Sequence, residues 1–212
     1  VINSPSQLEV DDKHVDLLGQ ALMKAVKAGD VINFCGSLPE GLKADTYRQL
    51  IQAVQAKGGV ALLDSYGPGL KQGVEAAPFL VKPNADELGS TFGVPTKTRD
   101  QVIKAARMLL RKGVRCVVVT LGDRGAVVCT PRENLYVSPL PTPRGLLSPV
   151  GCGDAFMGGL AWGLEGGLDL YDCLRWATAA AWADLSNPGA IFFDAKLVKA
   201  QVKLVKISRL AA

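Results

Sequence analysis

Hydrophobic residues follow two alternating patterns along the chain. Short continuous runs, of which residues 116–121 (CVVVTL) are the clearest, predict buried strands, whereas apolar residues that recur every three to four positions predict amphipathic helices. Strands alternating with helices indicate a mostly parallel sheet with helices on both faces, a three-layer αβα, Rossmann-like fold. Strands are predicted at residues 31–34, 60–64, 79–82, 116–121, 126–129 and 135–137, the last two as an antiparallel hairpin, and helices at residues 11–28, 44–57, 84–92, 99–112, 153–165, 171–185 and 195–206.

Composition places these elements in a single domain, residues 1–212. The chain has 212 residues and is 48% hydrophobic, which is enough for one sizeable core. The net charge of +4 is carried by scattered residues, so it is compatible with phosphorylated ligands but too diffuse to indicate nucleic acid. No hydrophobic run reaches the length of a membrane span, and we expect no membrane partner.

The cysteines and the histidine narrow the chemistry further. Five cysteines without a CxxC pair are typical of free thiols in a reducing cytoplasm, which is the expected location. The single histidine leaves little for a zinc site or a histidine-based catalytic triad.

The most informative segment is residues 148–156 (SPVGCGDAF), which leads into an apolar helix. Gly151 and Gly153 allow a sharp turn and a close approach to a ligand. The free N–H groups and the dipole of the helix make such a turn an anion site. Asp154 then has two interpretations: it takes a proton from an attacking hydroxyl while the turn stabilises a phosphoryl group, or it caps the helix.

A second segment, residues 82–88 (KPNADEL), follows a strand and opens a helix. Asn84 and Glu87 are three residues apart and share one side of the first turn, where an amide and a carboxylate suit hydrated magnesium. Lys82 is placed to balance phosphate charge. The same spacing also fits a helix-capping box made by Asn84 and Glu87.

Residues 120–125 (TLGDRG) end the most hydrophobic strand. Two glycines and a hydroxyl there are compatible with a nucleotide lying against the backbone, and equally with a tight turn. The segment is not a GxGxxG fingerprint, and the chain contains no GxxxxGK[ST] phosphate loop. A dehydrogenase and a P-loop ATPase are therefore disfavoured.

Residues 35–41 (CGSLPEG) form the fourth segment, which is either a contact for a sugar hydroxyl or an ordinary turn between a strand and a helix. All four segments are predicted at carboxyl ends of strands, where parallel sheets bind their ligands. This convergence, more than any single segment, predicts a functional site.

The four segments together resemble the PfkB branch of the ribokinase-like carbohydrate kinases. The family's G-A-G-D signature is similar to residues 151–154, its K-P-N-x-x-E-L motif to residues 82–88, its S-G-S-L-P loop to residues 35–39 and its nucleotide turn to residues 119–125. Their order and spacing fit over essentially the whole chain. The Ser-Pro-Val lead-in, residues 148–150, is most similar to members of the 1-phosphofructokinase and tagatose-6-phosphate kinase type.

The resemblance implies a phosphotransferase that uses MgATP to phosphorylate a hydroxyl of a ketohexose phosphate, fructose 1-phosphate or tagatose 6-phosphate. Asp154 would be the catalytic base, and the N–H groups of Gly151, Cys152 and Gly153 would hold the transferred phosphoryl group. Asn84 and Glu87 would order magnesium, while Cys35 and Ser37, with Asp154, would contact the sugar. ATP would contact Lys82, Asn84, Thr120, Gly122, Asp123, Gly125 and Asn187.

Some relatives bind a monovalent cation such as K⁺ beside the signature, and the matching positions here are Ser148, Val150, Asn187 and Gly189. Cys35 and Cys152 replace the family's more common Ser and Ala. The chain begins near the family's T-x-I-N segment, seen here as Val1-Ile2-Asn3, so the resemblance implies a partial ribokinase-like fold without the N-terminal strands and the β-lid. The lid often makes the dimer in this family, so the intact parent enzyme is expected to be a homodimer.

Two rival interpretations remain open. A non-catalytic ATP-binding fragment or regulatory module would keep the nucleotide site and lack the sugar-binding half. An NAD-binding oxidoreductase would need the dinucleotide fingerprint that the chain does not contain.

Overall fold

A seven-stranded sheet organises the part of the chain that the structure describes. The computed structural model describes residues 10–142, 149–185 and 194–210. The sheet order follows the chain order; β1 to β4 are parallel, and β5, β6 and β7 each pair antiparallel with the preceding strand. The strands are β1 (Val31–Cys35), β2 (Val60–Asp64), β3 (Leu80–Val81), β4 (Cys116–Thr120), β5 (Ala126–Cys129), β6 (Asn134–Val137) and β7 (Ile207–Leu210).

Eight α-helices of the described segments connect and cover these strands. Three of them begin at a capping box, made by Asp11, Asn84 and Thr98, and the one at Asn84 is the box that the sequence left as an alternative. The helices are α1 (Asp12–Ala25), α2 (Thr46–Ala56), α3 (Gly67–Gly73), α4 (Ala85–Phe92), α5 (Arg99–Arg111), α6 (Cys152–Glu165), α7 (Leu170–Asp184) and α8 (Ala195–Val202).

The strand pleat divides the core into two layers. Val117, Val119 and Val127 point to the face that packs against α2 to α5, whereas their neighbours Val118 and Val128 point to the face covered by α6 and α7. All five are fully buried, as expected for strands covered on both faces. The predicted α/β fold, with a parallel sheet and helices on both faces, is therefore confirmed.

The C-terminal part departs from the prediction. The helix predicted over residues 195–206 ends at Val202, and Ile207–Leu210 forms the edge strand β7 instead. Arg209 on this strand contacts Glu133 at 2.8 Å, and the strand completes the antiparallel side of the sheet. The lysines near the end of the chain continue a helical spacing, and this pattern concealed the short strand that follows.

The short helix α3 was also not predicted. Its sequence, GPGLKQG, has poor intrinsic helix propensity, and tertiary packing stabilises it instead. Leu70 is fully buried, and a Cβ at Gly73 would lie only 2.6 Å from Leu63 Cδ2. Glycine at position 73 therefore allows the helix to approach the sheet closely.

The opposite edge of the sheet is β1, which pairs only with β2 among the described residues. The segment Val1-Ile2-Asn3, used to place the start of the chain within the family, lies outside the described residues. None of the helices described is long and apolar enough to cross a membrane.

Candidate active site

The carboxyl ends of the four parallel strands lie on one edge of the sheet, facing the N-terminus of α6. Together they border a cleft of about 670 Å³. Four of the segments singled out in the sequence therefore come together in space, as the strand–helix pattern predicts. Ten predicted site residues line the cleft: Lys82, Asn84, Glu87, Thr120, Gly122, Asp123, Gly125, Cys152, Gly153 and Asp154.

The turn before α6 depends on Gly151. This residue is the N-cap of the helix and has φ +97°, a left-handed conformation that side-chain-bearing residues rarely adopt. No side chain caps the helix here, so the interpretation of Asp154 as a helix cap is wrong. Its carboxylate is exposed at the first turn of α6 and lines the cleft.

The turn keeps backbone donors for an anion. Among the described residues, the N–H groups of Gly151 and Gly153 have no acceptor, whereas that of Cys152 donates to the Pro149 carbonyl at 3.4 Å. The Cys152 thiol points away towards α7. Burial, and then the neighbouring Asp184 carboxylate, raise the pKa of this thiol to about 12. Cys152 therefore contributes at most its backbone to the site.

Asn84 and Glu87 form the capping box that the sequence left as an alternative. Asn84 Oδ1 accepts from the Glu87 N–H at 2.8 Å, and the Asn84 N–H donates to Glu87 Oε2 at 2.8 Å. Capping does not consume the whole carboxylate, because Glu87 Oε1 remains for an ion and Glu87 lines the cleft. The cap and the proposed magnesium role are thus compatible at Glu87.

Asp64, at the end of β2, is a site residue that sequence reasoning missed. Its Oδ2 lies 2.9 Å from Lys82 Nζ, and the side chains of Lys82 and Asp64 are 5% and 16% exposed. Burial raises the pKa of Asp64 to about 6, although the Lys82 ammonium opposes this rise. Both groups lie next to Gly153: an added Cβ there would be 3.6 Å from Lys82 Nζ and 3.8 Å from Asp64 Oδ2.

Cys35 lies beside these carboxylates. Its Sγ and one carboxylate oxygen each of Asp64 and Asp154 all lie within 4.8 Å of one another. Burial first, and then the two carboxylates, raise the pKa of the Cys35 thiol to about 11, so the thiol is neutral near pH 7. Tyr47 fixes this loop, because its hydroxyl donates to the carbonyls of Cys35 and Gly36 at 3.1 Å.

Ser37, the other predicted sugar contact, is exposed and is not among the residues that line the cleft. The structure brings Cys35 close to the Asp154 carboxylate, whereas Ser37 is not among the residues that line the cleft. The role predicted for Ser37 stays a prediction.

The turn after β4 confirms the tight turn that the sequence allowed, and its role as a nucleotide contact stays a prediction. It is a tight 3₁₀ turn, closed by a 2.8 Å bond from the Leu121 N–H to the Gly125 carbonyl, and it also lines the cleft. Gly125 is required for this shape, since it has φ +81° and a Cβ there would lie 2.1 Å from the Val137 carbonyl oxygen. The glycine therefore lets the turn pack closely against the end of β6 while it lines the cleft.

One end of the cleft is apolar, which the sequence did not reveal. Trp182 projects from α7 into this wall, and its Nε1–H donates to the Pro141 carbonyl at 2.6 Å. An aromatic residue in a helical pattern is usually a core residue, so only the tertiary structure distinguishes this one. The apolar wall consists of Val137, Pro139, Leu140, Phe156, Ala181, Trp182 and Leu185.

Three predicted positions, Ser148, Asn187 and Gly189, lie outside the described residues. Val150, the fourth position matched to a monovalent cation site, is exposed in the turn before α6. The proposed cation site therefore stays a prediction.

Comparison with known proteins gives a consistent result. Residues 1–196 match the pfkB family carbohydrate kinase domain. A 1-phosphofructokinase of Rhodobacter capsulatus is 36% identical over 176 residues, covering 82% of this chain and 55% of that protein. The ATP-dependent 6-phosphofructokinase isozyme 2 of Escherichia coli is 32% identical over 166 residues, covering 77% of this chain and 53% of that protein.

Among solved structures, phosphofructokinase-2 from Escherichia coli in complex with potassium superposes with a TM-score of 0.84 at 28% identity. The match covers 92% of this chain and 63% of that one. The chain thus spans a little over half of the length of the two curated relatives described above.

Proposed function

Because the chain belongs to the PfkB family of carbohydrate kinases, we propose that it is the C-terminal nucleotide-binding and catalytic part of a ketohexose-phosphate kinase. The parent enzyme would transfer the γ-phosphate of ATP to a hydroxyl of fructose 1-phosphate or tagatose 6-phosphate. In this reaction the oxygen of the sugar hydroxyl attacks the γ-phosphorus of ATP. The bond from that phosphorus to the β–γ bridging oxygen breaks, and ADP leaves. The observation that carries this proposal is the uncapped turn before α6, which presents backbone donors and the Asp154 carboxylate together.

Asp154 is the group that takes the proton of the attacking hydroxyl. Its carboxylate is exposed to the cleft and makes no capping bond that would have to break first. The neighbouring thiol of Cys35 stays protonated, since its pKa is about 11, and does not compete as a base. A positioned base of this kind contributes roughly 10²–10⁴-fold to the rate.

The transferred phosphoryl group would lie over the turn. The N–H groups of Gly151 and Gly153 point to its oxygens as fixed donors and are supported by the positive end of the α6 dipole. Lys82, beside Gly153, adds a positive charge. Asp64 holds this ammonium at 2.9 Å, so it acts as a positioning residue for Lys82. Positioning and charge stabilisation supply most of the acceleration in phosphoryl transfer.

Magnesium fits the oxygen donors of the cleft. Glu87 retains Oε1 after capping and would hold the ion or its waters, with Asn84 next to it. When bound, magnesium neutralises the charge of the phosphates.

ATP fits along the turn after β4. Thr120, Gly122, Asp123 and Gly125 would face its ribose and phosphates, and the apolar wall with Trp182 would receive the base. Asn187 is carried over from the resemblance as a further contact. Potassium is a proposed additional cofactor, supported by the similar Escherichia coli enzyme in complex with potassium.

The choice of sugar phosphate rests on the relatives and on the loop at Cys35. The Rhodobacter relative is a 1-phosphofructokinase. Cys35, next to Asp154, and the exposed Ser37 would contact the sugar. We propose that the remaining contacts and a homodimer form in the parent enzyme.

An ADP-release assay with a panel of hexose phosphates tests this function. It is run on this chain and on the protein translated from the complete reading frame. We expect turnover with fructose 1-phosphate or tagatose 6-phosphate in the complete protein. ATP binding without turnover on any sugar phosphate would contradict the proposal.

The second candidate is a non-catalytic ATP-binding fragment or regulatory module. It is favoured by one observation: the chain spans a little over half of the length of its curated relatives. This candidate predicts ATP binding by the chain together with no turnover in the complete protein.

A further inference from the structure

Three groups that can bind a metal meet at the edge of the cleft, and no two come from the same element. Cys35 ends β1, Asp64 ends β2 and Asp154 lies in the first turn of α6. Among the residues that the structure describes, this is the one such cluster in which three donors lie within 4.8 Å of one another. The fold, rather than a local run of acidic residues, creates it.

The dimensions suit a small tetrahedral ion. Zinc binds cysteine sulfur at about 2.3 Å and carboxylate oxygen at about 2.0–2.2 Å, which separates its ligand atoms by about 3.5 Å. The three donors lie within 4.8 Å of one another, so they need to close by no more than about 1.3 Å. Small side-chain rotations suffice for this, because Cys35 and Asp154 are both exposed.

The donor set discriminates between metals. Magnesium prefers oxygen ligands throughout and retains its waters, whereas a thiolate with two carboxylates suits a borderline-soft ion such as Zn²⁺. Charge balance also favours binding: the thiolate, the two carboxylates and Lys82 sum to −2, which a divalent cation cancels. Lys82 holds Oδ2 of Asp64 and leaves Oδ1 available.

We propose that Cys35, Asp64 and Asp154 form an inhibitory site for Zn²⁺, with a set of ligands that does not include Glu87. Binding releases the Cys35 thiol proton to solvent, forms the zinc–sulfur bond and occupies the carboxylate of Asp154. A zinc-bound Asp154 no longer accepts a proton from the sugar hydroxyl, so phosphoryl transfer stops. This inhibitory consequence rests on the proposed function, whereas metal binding itself does not.

The serine that is more common in the family at position 35 would not provide the thiolate, so the site is tied to this cysteine. One histidine in the chain argued against a zinc site at the level of sequence. The thiol and the two carboxylates come from three separate segments, so no local spacing in the sequence marks this site.

Cobalt titration of the purified chain under argon tests binding directly, because a Co²⁺–thiolate bond gives a near-ultraviolet charge-transfer band. We expect the band in the unaltered chain, its absence in Cys35→Ser and its retention in Cys152→Ser. The Cys152 thiol is the matched control, since it lies against Asp184 rather than in the cluster. No band in the unaltered chain, or a band unaffected by Cys35→Ser, would overturn the proposal.

Competition of Zn²⁺ against Co²⁺ then gives the zinc affinity. Cys35→Ser removes a direct ligand, so we expect a loss greater than the roughly 10–100-fold that follows loss of an outer partner of a metal ligand. In the complete enzyme, zinc inhibition at saturating Mg²⁺ is expressed relative to the rate of each variant with Mg²⁺ and without zinc. A cobalt band with no enzymatic turnover would overturn the kinase function and leave the metal site standing.

Discussion

Replacing Lys82 by methionine should make the stability of the protein depend on pH in a defined way. Lys82 neutralises Asp64 at 2.9 Å, and both side chains are largely buried. The pKa of Asp64 is about 6 in the folded protein and 3.8 for the ordinary carboxyl, so its contribution to stability is lost as the pH rises through 6. Removal of the ammonium raises this pKa further, and Lys82→Met therefore loses additional stability above pH 6.

The size of the effect follows from the same values. At pH 7.5 the Lys82→Met variant can fold with its Asp64 carboxyl protonated. Holding that proton costs 1.36 kcal/mol for each pH unit above the pKa of about 6, so the added loss of folding stability is limited to about 2 kcal/mol. At pH 5.0 the carboxyl is protonated in both folded proteins, and the added cost is close to zero. Methionine retains most of the packing of the lysine stem, so the charge effect should dominate the pH dependence.

Urea denaturation at pH 5.0 and 7.5 measures this difference. The double variant Asp64→Asn/Lys82→Met has no carboxylate to strand, so its destabilisation should not grow with pH. Relative to the unaltered protein it should shrink by about 1.4 kcal/mol from pH 5.0 to 7.5, because the unaltered protein alone loses the Asp64 contribution as the pH rises through 6. Lys112→Met is the surface control: it removes the exposed Lys112–Glu75 pair, at 2.6 Å, and should cost less than about 1 kcal/mol. A Lys82→Met destabilisation that is equal at the two pH values would refute this account of the pair.

Two further predictions concern magnesium and ATP in the complete enzyme. Glu87→Gln keeps an oxygen for the Asn84 N–H, so the free energy of unfolding should change by less than about 1 kcal/mol. The Mg²⁺ concentration for half-maximal activity should rise roughly tenfold, equivalent to about 1.4 kcal/mol. An unchanged Mg²⁺ requirement would exclude Glu87 from the metal site. Trp182→Ala should weaken ATP binding, measured calorimetrically, by about 1–3 kcal/mol if the base stacks there. Trp162→Ala, on the exposed side of α6, should leave ATP affinity unchanged, and equal effects of the two variants would contradict this placement of the base.

The sequence predicted those parts of the site whose position follows from local patterns. Buried runs located β1 to β4, and the rule that ligands lie at their carboxyl ends brought Lys82, Thr120 and the turn before α6 together. Asp64 was overlooked because it resembles an ordinary strand end, and only its buried contact with Lys82 distinguishes it. Trp182 was overlooked because a helical pattern does not show which neighbour covers each face.

Two alternatives were resolved by geometry that no sequence pattern contains. The free N–H groups before α6 and the absence of a side-chain cap there excluded the capping role of Asp154. The same kind of evidence confirmed the capping box at Asn84 and Glu87. Helix-start signals therefore identified both segments, but only hydrogen-bond partners separated a structural carboxylate from one available for chemistry.

The proton-accepting role of Asp154 is the central claim, and turnover of Asp154→Asn in the complete enzyme tests it most directly. Glu165→Gln is the matched control, because it removes an equal charge from the exposed far end of α6. We predict that Asp154→Asn lowers kcat by about 10²–10⁴-fold while ATP affinity stays within about threefold, and that Glu165→Gln changes neither. A kcat for Asp154→Asn equal to that of the unaltered enzyme would contradict the account.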